Sequence, residues 1–328
     1  MNMHTTLKKT ICLLLVLISL VACIAPVSAA AKPKATANTK ATLAYTLKGL
    51  PVGRAVQNFY IGSSYVYVTQ RVDSTTYLSR LKINGKVANY ADHMTLRNCG
   101  HGESLDLYSH NEQNYFYIGC KADPSGDNDH DLSLQIARIK YQAGASYDYT
   151  ELNRFINLDW ANKNGTDMGS VYRAAVAVRG ETTIFRIELK SSRDVVYSAY
   201  KTADINKLLD KSQSVSMKSA GVKSALLFSF RQKRSEKVCA NSGFQGLEIS
   251  AKSRIYLSGG AKGETPAIAR MNSTGDYLKL VKITNVGKLE IEGLQWKDSK
   301  LYFNIVTGDT SAARKNEQII YYIKESVF

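Results

Sequence analysis

The sequence predicts an all-β fold, a five-bladed β-propeller, on three observations. From Tyr45 onward, short runs rich in Tyr, Val, Ile and Thr alternate with Gly, Asn, Asp and Ser clusters, as many short antiparallel strands require. One pattern then recurs: a strand of three bulky residues, a turn, and an apolar-small-Arg-apolar strand. Finally, such units, each preceded by one further strand, account for nearly all of the remaining chain. Radial repetition lets a chain so rich in strand present few sheet edges.

The elements follow in order. Residues 1–29 read as a signal peptide: Lys8 and Lys9 precede the apolar run from Ile11 to Ala22, too short to span a bilayer stably, and small residues lead to Ala29-Ala30-Ala31. Cleavage after Ala29 or Ala30 gives a secreted, extracellular protein with no transmembrane span. In the alternative reading Leu20-Val21-Ala22-Cys23 is a lipobox, and acylated Cys23 retains the protein on its own membrane. Residues 30–44 are small, basic and aperiodic, a flexible lead-in, and 45–328 form a single propeller domain.

The first unit joins a strand from Gln57 to Ile61 with Tyr65-Val66-Tyr67 and Leu78-Ser79-Arg80-Leu81. The second joins Glu103 to Leu107 with Tyr115-Phe116-Tyr117 and Ile136-Ala137-Arg138-Ile139. A degenerate third runs from Arg173 to Val178, through Thr183-Ile184-Phe185, to Val195–Tyr200. The sole helix expected, Thr202 to Lys211, comes next. The fourth unit has Gly246 to Ile249, Ile255-Tyr256-Leu257 and Ile268-Ala269-Arg270-Met271. The fifth has Glu292 to Trp296, Leu301-Tyr302-Phe303 and Ile319 to Tyr322. Two β-sandwich domains split between Thr202 and Gly221 are the competing architecture, and the similarity of the units across that split argues against it.

Cleavage of the leader removes two of the 43 Lys and Arg residues and no acid, so 41 bases face 28 acids and the net charge is +13. Outside the cell such a chain meets teichoic acids, anionic headgroups and wall polymers. Export argues against the other polyanion, nucleic acid, as a partner.

Four histidines, His93, His101, His110 and His130, lie close in sequence to Cys99, Cys120 and an aspartate run. Asp127, Asp129 and Asp131 at alternate positions are candidate calcium ligands, calcium being the one cofactor the chain suggests. Leu132 and Arg138 stand where an EF-type loop needs Gly and Glu, so a solvated loop is the competing reading. Zinc spacing is lacking, and neither Cys99 nor Cys120 sits at a helix start, where a nucleophilic thiolate is favoured. Cys99 and Cys120 could be bridged or could be buried thiols. Glu103, Glu248 and Glu292 occupy similar points on upstream strands, which suggests a role shared by every unit. Arg80, Arg138 and Arg270 are also repeated; they either pair between blades or, facing a channel mouth, offer planar forks to phosphate.

The stretches Tyr65-Val-Tyr-Val-Thr-Gln-Arg71, Thr75-Thr-Tyr-Leu-Ser-Arg80, Gly100-His-Gly-Glu-Ser-Leu105 and Tyr115-Phe-Tyr-Ile-Gly-Cys-Lys-Ala122 resemble the helveticin J family of large bacteriocins. Glu103 stands where that family carries Gln. The resemblance implies a five-bladed propeller, similar to one shared by a teichoic-acid-biosynthesis protein and a phage receptor-binding protein, that recognises wall polymers. The expectation is therefore a secreted antibacterial protein that binds anionic wall polymer or a surface receptor through Arg80, Arg138, Arg270, His101 and Glu103. It is expected to be no enzyme, and a bacteriocin implies an immunity protein. The alternatives are a cell-wall hydrolase using the residue 99–131 cluster and a retained wall-binding lipoprotein.

Overall fold

The structure is a computed structural model that describes residues 31–124, 131–241, 243–306 and 318–328. The leader reading, residues 1–29 with Cys23, lies outside the described residues, as do Asp127, Asp129 and His130.

Two strands open the described chain, β1 (Ala35–Thr39) and β2 (Thr42–Lys48). Then come β3 (Val56–Ile61), β4 (Tyr65–Val72), β5 (Thr75–Asn84) and β6 (Val87–Arg97), followed by β7 (Leu105–His110), β8 (Gln113–Ala122), β9 (Ser133–Ile139), β10 (Ser146–Asp148) and β11 (Asn153–Ile156). A third run is β12 (Val171–Arg179), β13 (Thr182–Leu189), β14 (Val195–Lys201), helix α1 (Thr202–Lys211), β15 (Ser214–Ser216), helix α2 (Ala220–Ser224) and β16 (Leu226–Gln232). The chain continues through β17 (Gly246–Ile249), β18 (Ile255–Gly259), β19 (Ala267–Met271), β20 (Tyr277–Ile283), β21 (Ile291–Lys297), β22 (Lys300–Ile305) and β23 (Gln318–Lys324).

Among the described residues these strands form sheets ordered β15-β11-β9-β8-β7, β12-β13-β14-β16, β1-β20-β19-β18-β17, and a nine-stranded sheet, β21-β22-β23-β2-β6-β5-β4-β3 with β10 on β6. The fold is mostly β and propeller-like. The two ends of the nine-stranded sheet, β21 and β3, touch, so that sheet is nearly closed on itself. The first strands of the successive runs also touch in turn: β3 and β7, β7 and β12, β12 and β17, β17 and β21.

Apolar clusters fill the seams between neighbouring runs. Leu78, Met94 and Leu96 pack against Leu105, Phe116 and Ile118; Tyr117 and Phe155 pack with Val176 and Phe185. Ala177, Ile184 and Tyr197 meet Leu247, Ile255 and Leu257, Tyr256 and Ile268 meet Trp296 and Leu301, and Leu47, Tyr302 and Ile320 meet Phe59, Val66 and Val68. The period-2 alternation sends one set of side chains to each face, so a sheet can pack against neighbours on both sides.

Innermost strands have buried backbone groups with no sheet partner on one side, and these must be hydrogen-bonded. Side chains reach across the seams to do so. Asn58 Nδ2 donates to the Glu103 carbonyl at 2.6 Å. Ser104 Oγ and Asp106 Oδ2 accept from the Val176 and Val178 amides at 3.0 and 2.6 Å. Glu248 Oε2 accepts from the Trp296 amide at 2.8 Å, and Gln295 Oε1 from the Ile61 amide at 2.7 Å.

Two expectations are corrected here. Residues 30–44 are not a flexible lead-in throughout, because β1 pairs in parallel with β20 and β2 pairs antiparallel with β23. The two-sandwich alternative also fails: residues 31–328 form one compact unit, and the proposed split falls on α1 and the strands beside it.

Candidate functional site

A cleft of about 420 Å³ lies where the first strands of the runs begin, lined by Gln57 of β3, His101 and Glu103 ahead of β7, Arg173 of β12, Phe244 and Gln245 ahead of β17, and Glu292 of β21. The Gly100-His101-Gly102 turn places two of these groups. Gly100 and Gly102 have φ of 88° and 83°, a region glycine enters without strain, and a Cβ on Gly100 would collide with the Asp131 carbonyl. Hydroxyls fix the turn: Thr76 Oγ1 donates to the Gly100 carbonyl at 2.6 Å and Thr69 Oγ1 to the Gly102 carbonyl at 2.7 Å.

Glu103, buried, accepts from Arg173 Nε at 2.5 Å, and its other oxygen lies 3.8 Å from His101 Nε2. Arg173 stacks on the Phe244 ring, 4.6 Å from its centroid. Glu292 is also buried, and burial, then the neighbouring Glu290 and Glu103, push its carboxyl well above the usual range, against the pull of Arg173. The cleft thus combines an ion-paired carboxylate with a carboxyl whose protonated form is favoured. Glu188, on β13, is the counter-example: burial pushes it up, yet Arg186, Lys237, Arg193 and Arg173 together hold it below the usual range.

A second cleft, about 320 Å³, lies farther along the same strands and is lined by Tyr60, Asp106, Arg179, Glu248 and Trp296 among others. Burial raises Asp106 to about 7 although two backbone amides and Arg179 pull it down. Burial and then Asp106 raise Glu248. The three glutamates expected to be equivalent are therefore not: Glu103 and Glu292 share one cleft, and Glu248 belongs to the other.

His101 and Glu103 line a cleft, as a ligand-binding role needs, whereas the three repeated arginines are engaged on the sheets. Arg80 forms a two-pronged pair with Asp92, at 3.1 and 2.6 Å. Arg138 is bound by Asp210 at 2.7 Å and Asn206 at 2.9 Å, both on α1. Arg270 lies opposite Tyr256 in register. The channel-mouth placement is therefore corrected, and the arginines that line the cleft are Arg173 and Arg193. Arg173 and Gln57 were missed as site residues; the signal available was a polar residue entering an otherwise apolar inner strand.

Among the described residues the 99–131 cluster also comes apart. Cys99 and Cys120 are buried free thiols, both pushed up by burial, which disfavours the thiolate. His93 bonds the Tyr90 hydroxyl at 2.7 Å, and His110 bonds Asp210 at 2.6 Å. Of the calcium candidates only Asp131 is described, and it pairs with Arg71 at 3.0 Å. Among the described residues no three His, Cys, Asp or Glu groups gather as metal ligands.

A ladder of bases on tyrosines repeats on neighbouring runs. In one, Tyr65 faces Lys82 across β4 and β5, with Lys82 Nζ 4.7 Å and Arg80 Cζ 4.6 Å from its ring centre. In the next, Arg138 Cζ lies 4.5 Å and Lys140 Nζ 5.2 Å from the Tyr115 ring. Lys300 Nζ lies 4.6 Å from the Tyr322 ring. The three tyrosines are half-buried, and Lys82 and Lys140 are exposed.

The family model described as bacteriocin helveticin-J matches residues 35–320. A search of curated proteins returns no match. Similar solved structures include CoXyl43, a family 43 β-xylosidase/α-arabinofuranosidase from a compost microbial metagenome, at 8% identity and TM-score 0.47, covering 87% of this chain and 94% of that one. Zg3597, a family 117 glycoside hydrolase from Zobellia galactanivorans, has 10% identity and TM-score 0.46, covering 89% and 91%. The polysaccharide lyase Uly1 has 11% identity and TM-score 0.38, covering 84% and 91%. The expectation that the chain is no enzyme does not stand beside these neighbours, two glycoside hydrolases and a polysaccharide lyase, a likeness of fold alone. Their activities remain statements about those proteins.

Proposed function

Since the chain belongs to the helveticin-J bacteriocin family, we propose that it is a secreted antibacterial protein that captures an anionic polymer, teichoic acid above all, on the walls of related Gram-positive bacteria. The observation that carries this reading is the repeated ladder of exposed lysines beside half-buried tyrosines, Lys82 with Tyr65 and Lys140 with Tyr115. A polyol phosphate chain offers alternating anions and apolar carbon faces. An ammonium beside an aromatic edge suits both. Repetition on neighbouring runs lets one polymer engage several ladders, so weak contacts add through effective concentration. A net charge of +13 after leader removal supplies the long-range attraction.

The reading includes five blades. The nine-stranded sheet then counts as two, β3 to β6 and β21-β22-β23-β2, whose strands are paired with each other where Thr46, Leu47 and Lys48 meet Val87, Ala88 and Asn89. Strand β2, from the start of the chain, would close the ring by completing the last blade.

The test is binding of the mature protein to purified wall teichoic acid across a salt series. The double variant Lys82→Ala/Lys140→Ala should bind about thirtyfold more weakly, at roughly 1 kcal/mol per lysine at an anionic surface, with a shallower salt dependence. Unchanged affinity and salt slope would refute the ladder as the capture surface.

A further inference from the structure

We propose that the cleft at Glu103 and Glu292 is a second binding site, separate from the polymer-capturing ladders, for a neutral saccharide ring. Gln57 Oε1, Arg173 Nη2 and Glu292 Oε2 are buried and have no partner in the protein, and all three residues line this one cleft. Gln57 is 9% exposed and Glu292 3%. Buried polar atoms are almost always satisfied, and three exceptions converging on one concavity mark a surface that a ligand completes.

The chemistry of the three atoms selects the ligand. Arg173 Nη2 can only donate, Gln57 Oε1 can only accept, and a protonated Glu292 carboxyl can do both. Neighbouring hydroxyls on a ring supply donors and acceptors side by side and match that set. A free anion does not match it. Glu103, Glu290 and Glu292 all line the cleft, while Arg173 is held by Glu103 at 2.5 Å and Arg193 by Glu188 at 3.0 Å. The cationic charge is already used, and a phosphate would meet three carboxyl groups. Those same ion pairs hold the walls in place before a ligand arrives, which reduces the ordering cost of binding.

The experiment is saturation-transfer NMR on the mature protein with glucose, galactose, N-acetylglucosamine and arabinose, and with glycerol phosphate as the anionic comparison, accompanied by thermal melts. At least one neutral sugar should receive saturation and raise the melting temperature. Gln57→Ala and Glu292→Ala should weaken that sugar by at least about tenfold, the worth of one hydrogen bond to a buried polar group. Their own melting temperatures should hold or rise, because each removes an unsatisfied atom. Glu292→Gln, which keeps the side-chain volume and, like a protonated carboxyl, both donates and accepts, should retain sugar binding. Lys82→Ala/Lys140→Ala should leave sugar binding intact, so failure of the ladder reading and failure of this one are told apart. The proposal is overturned if no sugar binds, if binding survives both alanine variants unchanged, or if glycerol phosphate occupies the cleft in preference to every sugar.

Discussion

Asp106 shows how a single side chain couples the seams to pH. Its carboxyl accepts the Leu107 and Val178 amides at 2.9 and 2.6 Å, and burial raises it to about 7. An acid whose folded pKa lies above its unfolded one favours the folded state most at low pH, below about 4, and loses that contribution as pH rises to about 7. Glu248 is coupled to it and acts in the same direction. Melting temperature should therefore fall between those limits in the wild type, and Asp106→Asn should flatten that slope; an unchanged slope in the variant would refute the assignment. At this scale the sequence was least legible. Residue identity marked Glu103 and His101, yet nothing in the repeat distinguished Glu248 from Glu292, because which end of an inner strand a side chain occupies depends on pairing offsets between strands. Arg80, Arg138 and Arg270 share a sequence position but not partners, since Asp92 and Asp210 come from elements that only the fold brings near.

Helix α1 was legible with its bounds because Ile205 and Leu209 are one turn apart and both buried, the spacing an amphipathic helix requires. Its polar face does a second task. Asn206 and Asp210, also one turn apart, hold Arg138, and Asp210 takes His110 as well. Asp210→Ala leaves the buried Arg138 guanidinium short of its counter-charge and should cost about 2 kcal/mol by urea unfolding, discounted for the partial exposure of Asp210. The strands at the start of the chain were illegible for the opposite reason. β1 carries no bulky apolar residue and stays largely exposed; it pairs with β20 through the main chain. Composition does not reveal docking made by main chain alone. Deletion of residues 31–48 removes both β1 and β2, leaves β23 and β6 without the strand that joins them, and should abolish the cooperative thermal transition. Deletion of 31–40 removes β1 alone and should only lower its midpoint.

For the molecule as a whole, the recurring strand pattern carried the all-β, propeller-like fold, because each repeat cannot bury its faces without a neighbour on either side. Seams such as Leu78, Met94 and Leu96 against Leu105, Phe116 and Ile118 are that requirement met. The proposed capture surface rests on the same repetition: lysines beside tyrosines on paired strands recur because the strands do. The most direct test of polymer capture is co-sedimentation of the mature protein with isolated Gram-positive walls, before and after teichoic acid is stripped, with the supernatant assayed for released sugars and muropeptides. Capture predicts binding that disappears with the teichoic acid. Binding that survives stripping, or soluble fragments released from walls that hold no protein, would contradict it.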